Sequence, residues 1–151
     1  MSRPERKEMS VPTWKRSESQ TEYLWQIYQF TIRISEICAN KPKKYKGSYT
    51  DKIINLTCDA FVHARTANEI YVKTKADYDL RKAHLMEAKG LIVSICTLSD
   101  IFLELCKRSP DCKKEKISKE QETIGRFCYS ITNLISGVMK SDAKRYAAMV
   151  C

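Results

Sequence analysis

At 151 residues the chain has the length of one domain, and it is large enough to bury a core. Only four glycines and four prolines occur, which favours long helices and argues against a turn-rich β fold. Lysine and arginine (27) exceed aspartate and glutamate (18) by nine. That excess favours a polyanionic partner: nucleic acid first, and an acidic protein surface or anionic lipid second. Surplus lysine can also serve solubility alone.

Seven cysteines occur, without a Cys-x-x-Cys pair and without zinc-ligand spacing. Most of them lie on or beside apolar helical stripes, where a free thiol behaves as a small hydrophobic side chain. Residues Met1 to Lys7 are charged and lack the apolar stretch of a signal peptide. No apolar run approaches the roughly 20 residues of a membrane span. We therefore expect a reduced, cytoplasmic protein without a membrane partner.

The composition divides the chain into three parts. Residues 1–16 hold two prolines and five basic residues without helical periodicity, which predicts a flexible basic tail. Translation could begin at Met1 or at Met9. Residues 17–140 are expected to form the folded bundle, and residues 141–151 a short C-terminal helical extension.

Helix one is expected to begin at Ser17 or Ser19, since each offers a capping box, and to stop at residues 40–42, Asn-Lys-Pro. Its apolar positions recur at steps of three and four: Leu24, Ile27, Phe30, Thr31, Ile34, Ile37 and Cys38. Trp25 and Tyr28 fall outside this stripe and are candidates for a subunit contact. The loop that follows, residues 41–47, carries four lysines and no acid.

Helices two and three follow as the longest amphipathic pair in the chain. Thr50 is the expected cap of helix two. One face of this helix is formed by Ile53, Thr57, Ala60, Phe61, Ala64, Ala67, Asn68 and Tyr71. Thr74 with Asp77 reads as the cap of helix three, which is expected from about Ala76 to Lys107. Its stripe consists of Leu85, Ala88, Ile92, Ile95, Ser99, Phe102 and Cys106.

A second basic loop, residues 107–116, leads to helix four, whose expected start is Ser118 with Gln121 completing a capping box. Its stripe is Ile124, Phe127, Cys128, Ile131, Leu134, Ile135 and Val138. Gly137 or residues 140–142 mark its end or a break. Four amphipathic helices joined by short loops predict an all-α, antiparallel, up-down-up-down four-helix bundle.

This topology brings the basic loops together in pairs. The first and third loops lie at the same end of such a bundle, and their cations are Lys41, Lys43, Lys44, Lys46, Lys107, Arg108, Lys113, Lys114 and Lys116. Lys73 and Lys75 lie in the turn at the opposite end, and Arg81 and Lys82 continue from it along helix three. We therefore expect both ends of the bundle to be positive.

Catalytic chemistry has little support in the sequence. The two histidines, His63 and His84, lie in consecutive antiparallel helices on either side of the turn, so they could come near each other. No further carboxylate pattern of a bundle metal site accompanies them, and no phosphate-binding glycine-rich loop occurs. We expect no enzyme activity, no metal and no cofactor. An RNA-cleaving role for either histidine is the disfavoured alternative.

Aromatic residues flank the basic segments. Tyr45 and Tyr49 flank the first loop, and Tyr71 and Tyr78 flank the second turn. Lysines neutralise phosphates without reading sequence, and exposed tyrosines can stack on unpaired bases. The alternative is that these tyrosines pack helix ends against the core, which the stripe register favours for Tyr71.

The junction of helices two and three has a recognisable sequence, ANEIYVKTKADYDLRK at residues 67–82. It resembles the bacterial four-helix-bundle family that comprises the accessory variability determinants of diversity-generating retroelements and the related ribosomal-RNA intervening-sequence proteins. Further stretches similar to that family are residues 9–12, 15–19, 42–45, 140–142 and 145–146.

The resemblance implies a non-enzymatic protein that often assembles as a five-fold ring and that binds a reverse transcriptase and its template RNA. Carried onto this sequence, the basic positions of the family's motifs are Lys15, Arg16, Lys43, Lys44, Lys73, Lys75, Arg81 and Lys82. The charge of the first loop adds Lys41 and Lys46 to the predicted nucleic-acid-binding set. The alternative function is a protein-interaction module of a mobile element or prophage, without a nucleic-acid role.

Overall fold

The fold is an all-α bundle of four main helices, followed by a single short turn of helix. The computed structural model describes residues 21–150. Its helices are α1 (Glu22–Ala39), α2 (Asp51–Glu69), α3 (Lys75–Lys107), α4 (Lys114–Arg145) and α5 (Ala147–Val150). A 3-10 turn, Lys43–Tyr45, and a π-helical turn, Lys46–Thr50, connect α1 to α2. The predicted flexible tail and the predicted starts of helix one at Ser17 or Ser19 lie outside the described residues.

Each main helix packs against its neighbours in the chain, and α1 also packs against α4, which closes the bundle. The predicted up-down-up-down topology is therefore confirmed. The predicted stripes supply most of the core, and all four main helices contribute to the largest fully buried side chains, of which only Tyr23 and Leu103 lie outside the stripes. These side chains are Tyr23, Leu24, Ile27, Phe30, Ile34, Ile53, Leu85, Ile92, Ile95, Phe102, Leu103 and Ile131. None of the helices within residues 21–150 is both long and apolar enough to cross a membrane.

The predicted cap of α3 is confirmed in detail. The backbone N–H of Asp77 donates to Thr74 Oγ1 at 3.2 Å, and the backbone N–H groups of Lys73 and Thr74 donate to Asp77 Oδ2 at 3.0 Å each. These reciprocal bonds satisfy N–H groups that the first turn leaves free. The same backbone bonds hold the pKa of the Asp77 carboxyl below its ordinary value.

Thr50 directly precedes α2, as predicted, but its side chain does not cap the helix, and the predicted cap at Ser118 is wrong. Thr50 has helical backbone angles and lies in the π-helical turn that runs directly into α2, where its hydroxyl donates to the carbonyl of Lys46. Ser118 lies inside α4, which begins at Lys114, a turn earlier than predicted. Ile117 is buried in the core, so packing extends the helix past a favourable capping residue.

The C-terminal boundary also differs from the prediction. Helix α4 continues through Gly137 and Lys140 to Arg145, and only Ala147–Val150 forms a separate turn of helix. Val138 and Asp142 are both buried and one turn apart on the same face. The contacts of this face keep the helix continuous beyond residue 140.

Candidate nucleic-acid interface

The first and third loops meet at one end of the bundle, as the topology predicts. Between them lies a cleft of about 550 Å³. The cleft is lined by residues of both loops and of the adjoining helix ends: Asn40, Lys41, Pro42, Lys44, Tyr45, Cys106, Ser109, Asp111, Cys112, Lys113, Lys116 and Ile117. We call this end of the bundle, residues 40–50 and 108–117, the basic pole.

Six lysines of the basic pole have exposed side chains: Lys43, Lys44, Lys46, Lys113, Lys114 and Lys116. Within residues 21–150, all of them except Lys46 are without an ion pair to a carboxylate. The Lys44 ammonium lies over the ring of Tyr45, 5.1 Å from its centroid. These five charges are therefore free to meet an anionic partner.

Lys41 and Lys46, the other predicted site residues of the first loop, have carboxylate partners. Lys41 is buried, and its Nζ lies 2.8 Å from Glu120 Oε1 and 3.2 Å from the carbonyl of Ile37. Lys46 remains exposed and pairs with Asp51 at 3.0 Å. The position of Lys41 corrects the expectation of an exposed cation, because this ammonium joins α1 to α4 inside the fold.

The tyrosines of the first loop pack inward. Tyr49 stacks on Phe102 with ring centroids 5.2 Å apart, and Tyr45 meets the same ring edge-on at 5.5 Å. Both side chains are half-buried against the core. This arrangement matches the alternative reading, in which the tyrosines fix the loop to the bundle.

At the opposite end of the bundle, the helical spacing of buried residues stops at Glu69, where α2 ends. Tyr71 is 78% exposed, whereas Val72 is buried, so the expectation that Tyr71 packs against the core is wrong. The physical reason is the extended linker after α2, which replaces helical periodicity with the alternation of an extended chain. Tyr78, by contrast, is buried.

The predicted lysines at this opposite end lie on the surface. Lys73 Nζ lies 5.4 Å from the ring centroid of Tyr71. Lys75 pairs with Asp79 at 2.9 Å, and both side chains are more than half exposed. Lys82 is exposed. Lys15 and Arg16 lie outside the described residues.

Arg81 is buried, which differs from the surface position that the prediction requires. Its Nε and Nη2 donate to the two carboxylate oxygens of Asp142 at 2.6 and 3.3 Å, and its Nη1 donates to the carbonyl of Ala67 at 2.9 Å. The sequence contains a signal for this arrangement, since Arg81 lies in register with the buried Tyr78 and Leu85 on the inner face of α3. A cation in core register indicates a buried partner.

Tyr23 packs beside this ion pair and is fully buried, with its hydroxyl 3.5 Å from the carbonyl of Ala64. Burial raises the pKa of Tyr23 to about 12, with Arg81 opposing the shift and Asp142 adding to it. The phenol therefore stays neutral through the physiological range.

Trp25 and Tyr28, the candidates for a subunit contact, pack on each other within the protein. Their ring centroids are 5.7 Å apart, and Tyr28 also lies 6.1 Å from Phe61 of α2. Both are only partly exposed, so part of their surface belongs to the seam between α1 and α2.

The cysteines in residues 21–150 are all free thiols: Cys38, Cys58, Cys96, Cys106, Cys112 and Cys128. Burial raises the pKa of Cys38 to about 11. The pKa of Cys128 is raised further above its ordinary value, by burial and then by the neighbouring Cys96. Such thiols carry little thiolate at neutral pH and are correspondingly unreactive.

His63 and His84 are brought together, as their positions on either side of the turn suggest. Their Nδ1 atoms are 2.9 Å apart, and both side chains are half-buried between α2 and α3. In the described part of the chain, no cluster of three or more His, Cys, Asp or Glu side chains is arranged to hold a metal ion.

Comparisons with protein-family models, curated proteins and solved structures gave no match to this chain. The fold and the surface define the class of protein: an antiparallel four-helix bundle whose paired loops form a basic pole. The family resemblance of residues 67–82 stays a prediction.

Proposed function

We propose that this protein is a non-enzymatic nucleic-acid-binding accessory protein, and that the basic pole is the surface that holds the phosphate backbone. The observation that carries the proposal is the group of five exposed lysines at one pole, none of them neutralised by a carboxylate within residues 21–150. Three of them, Lys44, Lys113 and Lys116, line the cleft. Two of the five lysines lie between α1 and α2 and three lie at or just before the start of α4, so the cluster depends on the folded bundle.

The chemistry of the cluster suits a backbone rather than a base sequence. Lysine ammonium groups act as point charges that neutralise phosphates and release counterions. Tyr45 and Tyr49 are held against Phe102, so they are not free to stack on bases at this pole. The binding we propose is therefore strongly dependent on salt and weakly dependent on sequence.

The resemblance to the retroelement accessory family narrows the proposal. On that basis the nucleic acid is a structured template RNA, the protein partner is a reverse transcriptase, and the bundle assembles as a homo-oligomer, a pentamer in the family's pattern. A reverse-transcriptase gene and a variable repeat beside the gene for this chain would support this narrower role. Their absence would restrict the proposal to nucleic-acid binding alone.

The decisive experiment compares two charge-reversal variants with the same change in net charge. The first replaces Lys43, Lys44, Lys113 and Lys114 of the basic pole by Glu. The matched control replaces four exposed basic residues that lie outside the predicted nucleic-acid-binding set by Glu: Arg33, Arg126, Lys140 and Lys144. Binding to labelled single-stranded and hairpin RNA is measured by fluorescence anisotropy over a series of salt concentrations.

We expect the basic-pole variant to lose most of its affinity and the control variant to keep most of it. If all four lysines contact phosphates, the slope of log K against log salt should become shallower by about 3, since each contact to a single strand contributes about 0.7. Equal losses in both variants would mean that net charge, and not this pole, drives binding. An absence of binding by the unsubstituted protein at low salt would refute the proposal.

A protein-interaction module is the second candidate, and one surface favours it. Met86, Val93 and Ile101 lie on the outer face of α3 at steps of seven and eight residues, and each is slightly more than half exposed. Apolar side chains grouped on one helix face are typical of a protein contact. If RNA binding fails, loss of a co-purifying protein on Val93→Lys would support this second candidate.

A further inference from the structure

The two histidines of the chain form a pair whose geometry is not explained by the proposed function. His63 lies on α2 and His84 on α3, and their Nδ1 atoms face each other at 2.9 Å. The ring centroids are 5.2 Å apart and the ring planes are inclined by 36°. Both side chains remain partly open to solvent at the seam between the two helices.

The distance between the two nitrogens also suits metal coordination. Imidazole nitrogens bind late first-row metals at about 2.0–2.1 Å, so two of them at right angles around one ion are about 2.9 Å apart. At a tetrahedral angle the same bonds place them about 3.4 Å apart. The observed spacing therefore fits two adjacent positions of a square-planar or octahedral ion, and a small ring rotation would reach the tetrahedral spacing.

We propose that His63 and His84 chelate a late first-row divalent transition metal through their Nδ1 atoms. In the neutral hydrogen-bonded pair one Nδ1 carries a proton and the other accepts the hydrogen bond from it. On metal binding this proton moves to the Nε2 of its own ring, which leaves both Nδ1 lone pairs for the metal. One ligand from each helix makes the site a clamp between α2 and α3. Ni²⁺ is the sharpest probe, because imidazole is a favourable ligand for it and its octahedral geometry matches the observed spacing.

Two acidic residues lie one helical turn from the pair. Asp59 lies one turn before His63, and Glu87 lies one turn after His84. Because α2 and α3 are antiparallel, both carboxylates lie on the same side of the pair, towards the basic pole. Both side chains are exposed, and neither forms an ion pair within residues 21–150. Since the described residues place no third protein ligand at the pair, water would fill the remaining coordination positions.

The test uses the full chain without a histidine tag, in a phosphine reductant, with NiCl2 and ZnCl2 as separate probes. We expect calorimetric titration to give about one Ni²⁺ per chain, and thermal unfolding to shift up by several degrees, because the metal binds only the folded clamp. His63→Ala and His84→Ala should each lower the affinity at least about tenfold and abolish the thermal shift. Cys58→Ser, which removes an exposed thiol on the same helix, should bind as the unsubstituted protein does.

A second readout does not depend on the folding of any variant. The chain has only two histidines, so Ni²⁺ at the proposed site should broaden the imidazole NMR signals of both at substoichiometric metal. Broadening of one signal only would overturn the clamp. Unchanged affinity in both alanine variants would overturn it as well, since the metal would then be bound elsewhere.

Discussion

Replacing Arg81 by Met should destabilise the bundle by about 3–5 kcal/mol, the usual cost of removing one partner from a buried ion pair. The Arg81 and Asp142 side chains are 8% and 4% exposed, so the substitution leaves a buried carboxylate without its cation. It also removes the bond from Arg81 Nη1 to the carbonyl of Ala67. Domains are commonly stable by only about 5–15 kcal/mol, so this loss is a large part of the total.

The measurement is denaturant and thermal unfolding followed by far-ultraviolet circular dichroism. For a domain of this size, the expected loss lowers Tm by roughly 6–20 °C. The double variant Arg81→Met with Asp142→Leu should recover part of the stability, because it leaves no unpaired charge. Lys82→Met, at the exposed neighbouring position, is the control and should stay within about 0.5 kcal/mol of the unsubstituted protein. A change of less than about 1 kcal/mol for Arg81→Met would refute the reasoning that this ion pair fixes the end of the bundle.

Two further predictions concern the ionisation of Tyr23 and the accessibility of the Cys58 and Cys128 thiols. Because folding raises the pKa of Tyr23 to about 12, its stabilisation is complete below about pH 10 and is lost as the pH rises from about 10 to 12, by roughly 2–3 kcal/mol. Tyr23→Phe should flatten this alkaline slope in unfolding experiments, and an unchanged slope would contradict the assignment. In thiol titration of the native protein with an aromatic disulfide, Cys58→Ser should remove one fast-reacting thiol, because Cys58 is exposed. Cys128→Ser should leave the fast phase unchanged, and loss of a fast-reacting thiol in that variant would mean that Cys128 is not protected.

Periodicity was enough to predict the four main helices and most of their inner faces, with Tyr71 as the clear exception. The α3 stripe from Leu85 to Cys106 is buried at every predicted position. Steps of three and four residues place these side chains on one face of a continuous helix, and that face packs against the core. The Thr74 cap was predictable because its partner Asp77 is local in sequence. Where a cap competes with tertiary packing, as Ser118 does with Ile117, the local pattern does not decide the boundary.

The candidate surface was only partly predictable, since charge shows which residues are basic but not which have internal partners. Lys43 and Lys44 are exposed as expected, whereas Lys41 two residues earlier is paired with Glu120. The burial of its partner Glu120 could have been predicted from the sequence, because Glu120 lies between Ile117 and Ile124 at a position that faces the core. A charged residue in core register indicates a buried partner. This rule identifies Glu120, Arg81 and Asp142, but not Lys41, which lies beyond the end of a helix.

Among the described residues two ion pairs are buried, and both depend on α4. Glu120 near its beginning accepts from Lys41, and Asp142 near its end accepts from Arg81. During synthesis the two cations emerge first, and each must wait for an acid that is translated later. The fourth helix thus completes the neutralisation of the interior at both ends, and a chain that stops before it retains two charges with no counterpart.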